Sequence, residues 1–173
     1  MDPNQAKFLT DYFTNLMENE GRTTARVLAA VPDDSCQYRP DDKSRSAWDL
    51  ATHIATADIW FLDSIVKGAF VFDPTVEKQQ VAQFKNVKEV VDFYNREWAA
   101  QLAALRALSP QDLATEVDFF GMFKQARAGL LGMANNHSIH HRGQLASYLR
   151  AMGSKVPSIY GGSADEPMTA AAN

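Results

Sequence analysis

The chain has 173 residues, 46% hydrophobic and 22% charged, with a net charge of −4. That length suits one domain able to bury most of its apolar surface, and the proportions match neither a disordered nor a membrane protein. The 17 Lys and Arg residues form no basic stripe, which argues against a hold on nucleic-acid phosphates, and the lone Cys36 can build neither a disulfide framework nor a CxxC motif. No basic leader precedes an apolar run at the N-terminus, and no apolar stretch approaches the roughly 18 residues of a membrane span. A reducing cytoplasm is the expected location, without a membrane partner.

Phe8, Leu9, Tyr12, Phe13, Leu16 and Met17, then Ala25, Val27 and Leu28, recur at helical spacing. They predict a first helix from about Asn4 to Ala30 with an interior Gly21. Val31-Pro32-Asp33-Asp34 stops it, and a loop continues through Arg39-Pro40-Asp41-Asp42-Lys43, anchored by Cys36 and Tyr38. Cys36 reads as a small packing residue, since no adjacent His or helix start would favour a thiolate.

Ser46-Ala47-Trp48-Asp49 has the form of a capping box, opening a second helix to about Lys67 with Gly68 past its end. Leu50, Ile54, Ala57, Phe61 and Ile65 form its stripe, with His53 among them on the inward side. Asp49 has two available roles, helix cap or a carboxylate orienting the His53 ring, and the cap is the commoner one. From Ala69 to Phe84 no period is sustained, which predicts a loop with one irregular turn partly covering a site. Asn86-Val87-Lys88-Glu89 opens a third helix to about Ala107, striped by Val87, Val90, Val91, Tyr94, Trp98, Leu102 and Leu105. Ser109-Pro110-Gln111-Asp112 starts a short helix, and Val117 to Phe123 suggests a tight extended turn or small hairpin.

The fourth long helix runs from about Ala126 to Met152, with apolar residues at Leu130, Met133, Ala134, Leu145, Tyr148, Leu149 and Met152. His137 and His141 fall in the remaining slots of that stripe, one above the other, so both imidazoles are expected to face the core, while His140 points about 100° away. An unpartnered buried imidazole costs roughly 1–3 kcal/mol, so the pair calls for a metal ion or ordinary hydrogen bonds, and spacing alone leaves both open. Arg142 and Gln144 fall off the imidazole face and read as packing or hydrogen-bonding residues, and Gly143 as a point of close helix approach. Trp48, Trp60 and Trp98 read more readily as core than as pocket walls. Val156 to Gly162 is expected to be an ordered tail, completing a single domain over residues 1–162, with a flexible tail over residues 163–173. No solenoid repeat, P-loop, GxGxxG or GxSxG window occurs.

The run Ser44-Arg45-Ser46-Ala47-Trp48-Asp49-Leu50-Ala51-Thr52-His53-Ile54 and the run from His137 to Leu145 resemble the damage-inducible DinB-like (YfiT-like) family, over nearly the whole chain. The resemblance implies an all-α four-helix bundle with a divalent metal ion held by His53, His137 and His141. Imidazole nitrogen suits Zn, Ni, Cu or Fe, with Zn and Ni favoured. Family members with assigned chemistry include transferases that use low-molecular-weight thiols and a thiol-dependent isomerase. The favoured reading is a metal-dependent transferase or hydrolase acting on a small electrophile, with a low-molecular-weight thiol as a cosubstrate open to it, and a homodimer is among the assemblies open to the chain. Three imidazoles leave a fourth position for water or a substrate atom, as in catalytic rather than closed structural sites. The alternative is a non-catalytic, stress-related metal- or ligand-binding bundle whose ion is structural and ties the second helix to the fourth. No general base stands out, and Glu20, Asp49 and Asp58 are the candidates.

Overall fold

The periodic segments become helices, most of them opened by a side-chain cap, and the first connection is a long one over residues 30–46. In the computed structural model, which describes residues 1–168, the order is α1 (Pro3–Ala29), α2 (Ala47–Lys67), α3 (Pro74–Val81), α4 (Val87–Ala107), α5 (Pro110–Ala114), β1 (Glu116–Phe119), β2 (Phe123–Ala126) and α6 (Arg127–Ala151). The start of α1 is set by Asp2, whose carboxylate accepts from the Asn4 and Gln5 amides ahead of Pro3. Ser46 and Asp49 close the capping box of α2, and Gly68 ends that helix in the left-handed conformation at φ 72°. Asp49 therefore completes the cap at Ser46, its carboxylate accepting from the Ser46 amide at 3.3 Å. Backbone carbonyls of Tyr38 and Cys36 accept from the Ala47 and Trp48 amides at 2.8 and 2.7 Å, so the loop docks on the first turn of α2 as anticipated.

The long helices form the expected all-α four-helix bundle. α1 and α2 each pack against both α4 and α6, and the two members of each pair stand across the diagonal. Met17, Leu50, Ile54, Tyr94, Leu131 and Leu149 meet in one core, each almost completely withdrawn from water. Full burial of such a side chain stabilises by about 1.5–3 kcal/mol. Among the described residues no helix is long and apolar enough to cross a membrane.

Gly21 lets α4 approach α1. A Cβ there would lie 2.2 Å from Nε1 of Trp98, a rigid ring that stacks on Tyr94 and donates to the Met17 carbonyl at 3.0 Å. Gly21→Ala is expected to lower the urea midpoint, because overpacking costs about 1–3 kcal/mol and the gain in helix propensity is only about 1 kcal/mol. Gly143 is the matched control. It is exposed, and a Cβ would meet nothing within 4 Å, so it does not serve close helix approach. Gly143→Ala should raise the midpoint, by about 0.5–1 kcal/mol of stability.

The segment expected to be a loop around Pro74 carries a two-turn helix, α3, with Asp73 as its cap and Pro74 at its first position. None of its residues is buried, so it has no apolar stripe, and only the cap marks it in sequence. The expected hairpin is present: β1 and β2 pair antiparallel, with Phe119 opposite Phe123. Phe120 and Gly121 have φ of 53° and 73°, the two positive values a tight primed turn needs, and Asp118 accepts from the Gly121 amide at 2.8 Å.

The tail packs by Val156 and Ile159, whereas Tyr160 is 69% exposed and is held by its hydroxyl, and the chain continues beyond Ser163 in contact with the bundle. Arg150 donates to both oxygens of Asp165, which also accepts from the Val156 amide at 2.8 Å. Glu166 accepts from the Ser158 amide and pairs with Arg26 of α1. The flexible tail expected over residues 163–173 thus has its first part tied to α1 and α6, and residues 169–173 lie outside the described residues.

Candidate metal centre

Three of the four histidines converge where α2 passes α6. Ring centroids lie 5.2 Å apart for His53 and His137, 4.7 Å for His53 and His141, and 4.5 Å for His137 and His141. One donor atom from each falls within 4.8 Å of the other two, a group that could hold a metal ion. His140 is exposed and lies outside this group, although its ring stands edge-on to His141 with centroids 4.8 Å apart.

The imidazoles do not lie in the core stripe of α6. That stripe is Leu131, Ala134, Ser138, Arg142, Leu145 and Leu149, and the histidines occupy its half-buried flank toward α2. Polar residues take the core positions instead: Ser138 is fully buried and Arg142 is 1% exposed. Arg142 lies 2.7 Å from Glu20 of α1, donates to the Glu20 carbonyl and the Thr24 hydroxyl, and reaches Tyr160 at 2.6 Å. It acts between helices, as its position off the imidazole face suggests.

The ring nitrogens are held from behind. His137 Nδ1–H donates to Asp58 Oδ1 at 2.9 Å, and His141 Nδ1–H donates to Gln144 Oε1 at 2.8 Å. Each contact fixes the ring and leaves Nε2 with its lone pair free, the arrangement a ligating imidazole needs. Gln144 therefore supports the site rather than joining helices, a role that reading only the i, i+4 face misses. Glu77 of α3, also unforeseen, brings Oε1 to 3.9 Å from His53 Nδ1.

Burial pushes the pKa of His53 down to about 3, with the Arg45 charge and the neighbouring imidazoles acting in the same direction. Burial likewise lowers His141, against the hydrogen bond to Gln144. Both rings are thus kept in the uncharged form that binds metal, so the donor set fits a divalent ion. Asp58 moves the other way: burial raises its pKa, opposed by the hydrogen bond from His137. Asp58→Asn keeps the shape but weakens the acceptor, and metal affinity is expected to fall about 10–100-fold in a chelator competition.

The low pKa of His53 also sets a pH dependence. The unfolded ring takes up a proton near its ordinary value of 6.5 and the folded ring only near 3, so this stability is complete above the first value and declines toward the second. The metal-free protein should lose urea resistance between about pH 7 and about pH 5, and His53→Ala should flatten the slope. Asp58 acts in the opposite sense, so the difference between the two proteins isolates the imidazole.

A cavity of about 540 Å³ opens against His53 and His137, walled by Trp60, Phe61, Phe72 and Val76. Of the three tryptophans only Trp60 lines it; Trp98 is buried between α1 and α4, and Trp48 packs on the core. Cys36 is half-buried in the loop before α2 and also packs on the core. The candidate bases Glu20 and Asp49 are engaged elsewhere, in the Arg142 pair and the α2 cap, and Asp58 is engaged with His137.

The model of the DinB family matches residues 4–170. The chain belongs to the DinB family. Within it, the uncharacterized protein YjoA of Bacillus subtilis (strain 168) is 30% identical over 132 residues, which cover 75% of this chain and 82% of that protein. A DinB-like protein from Bacillus cereus ATCC 10987 has a crystal structure that superposes with a TM-score of 0.71 at 26% identity, over 86% of this chain and 95% of that one. The mycothiol-dependent maleylpyruvate isomerase shares the fold, with a TM-score of 0.53 at 14% identity, over 91% of this chain and 65% of its own.

Proposed function

We propose that this DinB-family protein is a metal-dependent transferase or hydrolase acting on a small electrophile, with a low-molecular-weight thiol as cosubstrate. His53, His137 and His141 would hold the ion, Zn or Ni. The observation that carries the reading is the convergence of three imidazoles beside a cavity, with Nδ1 of two of them already engaged by Asp58 and Gln144. When bound, such an ion supplies positive charge that polarises a substrate oxygen and favours the deprotonated form of a water or thiol. The thiol is suggested by the mycothiol-dependent isomerase that shares the fold. A reducing cytoplasm, where such thiols are kept, is the setting in which we place the reaction.

The chain's own groups have distinct tasks. Asp58 and Gln144 orient the two rings of α6, and Phe61 packs on the His137 ring with centroids 5.0 Å apart. Glu77 faces both the cavity and His53, so it is the carboxylate positioned to accept a proton from a bound reactant.

The test is to load metal-free protein with Zn, Ni or Mn and screen thiol conjugation and ester or amide hydrolysis, with thermal melts alongside. Turnover that disappears in His141→Ala, at a temperature where the variant stays folded, supports the reading. A strong rise in Tm on metal addition with every assay blank would instead mark a structural ion joining α2 to α6. Turnover that survives complete metal removal from folded protein would end the metal-dependent proposal.

A further inference from the structure

The walls of the cavity are uneven in a way that describes a ligand. One side is aromatic and fixed in place. Trp60 donates its indole N–H to the Val71 carbonyl at 2.8 Å, which ties the segment before α3 onto the ring, and its edge meets Phe61 and Phe72 at 4.9 and 5.8 Å. Phe72 and Val76, just before and on α3, are 52% and 58% exposed although both face this cavity. Apolar side chains held open beside a pocket gain free energy when a flat apolar group covers them.

Toward the start of α2 the lining is polar. Arg45, in the turn just before α2, lines this cavity and the adjoining one that also reaches His53. Among the described residues it has no carboxylate partner within ion-pair distance. The two carboxylates on the rim are otherwise directed, Asp73 as the cap accepting the Thr75 amide and Glu77 toward His53. A free guanidinium beside a group of imidazoles favours an anionic oxygen pair, which it can meet with two parallel N–H donors.

We infer that the cavity takes a small molecule with a flat apolar body, laid along Trp60, Phe61 and Phe72, and a single carboxylate-like group at the Arg45 end. This rests on reading the site as that of an enzyme and names the class of its substrate. The volume of about 540 Å³ lies within the range of small-molecule sites and is larger than a bare two-carbon acid would use.

The experiment is calorimetric titration of the zinc-loaded full chain with naphthoate, naphthyl methanol and acetate, with metal content measured for every sample. Naphthoate should bind most tightly. Arg45→Gln should weaken naphthoate about tenfold and leave naphthyl methanol unchanged, as expected when one charged hydrogen-bonding partner is removed. Phe72→Ser should weaken both aromatic compounds and leave acetate unchanged. Acetate binding as tightly as naphthoate, or Arg45→Gln leaving naphthoate unchanged, would overturn the inference. Full metal content with no preference for naphthoate ends this inference alone. Selective naphthoate binding by a chain that holds no ion supports the pocket assignment and ends the metal-dependent reading instead.

Discussion

Alanine at His53, His137 or His141 is expected to reduce bound metal from about one ion per chain to less than about a tenth of that after dialysis, while His140→Ala keeps the wild-type content. The physical reason is donor count. Removing an outer partner such as Asp58 already costs about 10–100-fold in affinity, and removing a ligand deletes a metal bond outright. Because His53 lies on α2 and the other two on α6, either helix alone offers too few donors. The same loss should appear in thermal melts. An ion at a hundredfold excess over its Kd stabilises the native state by about 2.7 kcal/mol, and each kcal/mol shifts Tm by about 2–4 °C in a chain of this size. Chelation should therefore lower the wild-type Tm by several degrees and leave the three alanine variants where they are. Wild-type metal content in all three, with loss in His140→Ala, would show the assignment to be wrong.

Glu20→Ala should be among the most destabilising single substitutions, at about 3–5 kcal/mol by urea denaturation. Arg142 is 1% exposed, and Glu20 is the carboxylate it meets, at 2.7 Å. Truncating the acid leaves a charged guanidinium in the interior with the Glu20 carbonyl, the Thr24 hydroxyl and Tyr160 as acceptors. Replacing both members by apolar groups removes the uncompensated charge, so Glu20→Leu combined with Arg142→Met should recover most of the loss. Tyr160→Phe removes one hydroxyl between the two and should cost only about 1 kcal/mol. If Glu20→Ala and Tyr160→Phe cost the same, the ion pair contributes nothing beyond a neutral hydrogen bond.

The helices were legible because their apolar spacing is regular and their caps are explicit, as at Ser46 with Asp49 and Asn86 with Glu89. The three histidines were legible as a group through their place on the facing sides of two helices and the family resemblance. The phase of α6 was not. Met133, Tyr148 and Met152 are only partly buried, whereas Ser138 and Arg142, which a search for apolar residues passes over, sit in the core. Sequence could not locate the partner of Arg142, because Glu20 lies on another helix and only the fold brings them together. α3 escaped notice because every one of its residues touches solvent, so tertiary burial leaves no period to read. Glu77 was hidden for the same reason.

The diagonal placement of α1 opposite α2 has a consequence for how the chain acquires its structure during synthesis. Helices adjacent in sequence usually pair as soon as the second is made, but here α1 and α2 share little surface, and each finds its partners in α4 and α6. The apolar faces of the first two helices therefore wait, exposed, until α4 has left the ribosome, and α1 meets α6 only once that later helix has followed. Such distant pairing slows folding relative to a bundle of sequential hairpins, and it leaves two uncovered apolar stripes on the nascent chain that are open to misassociation until their partners emerge.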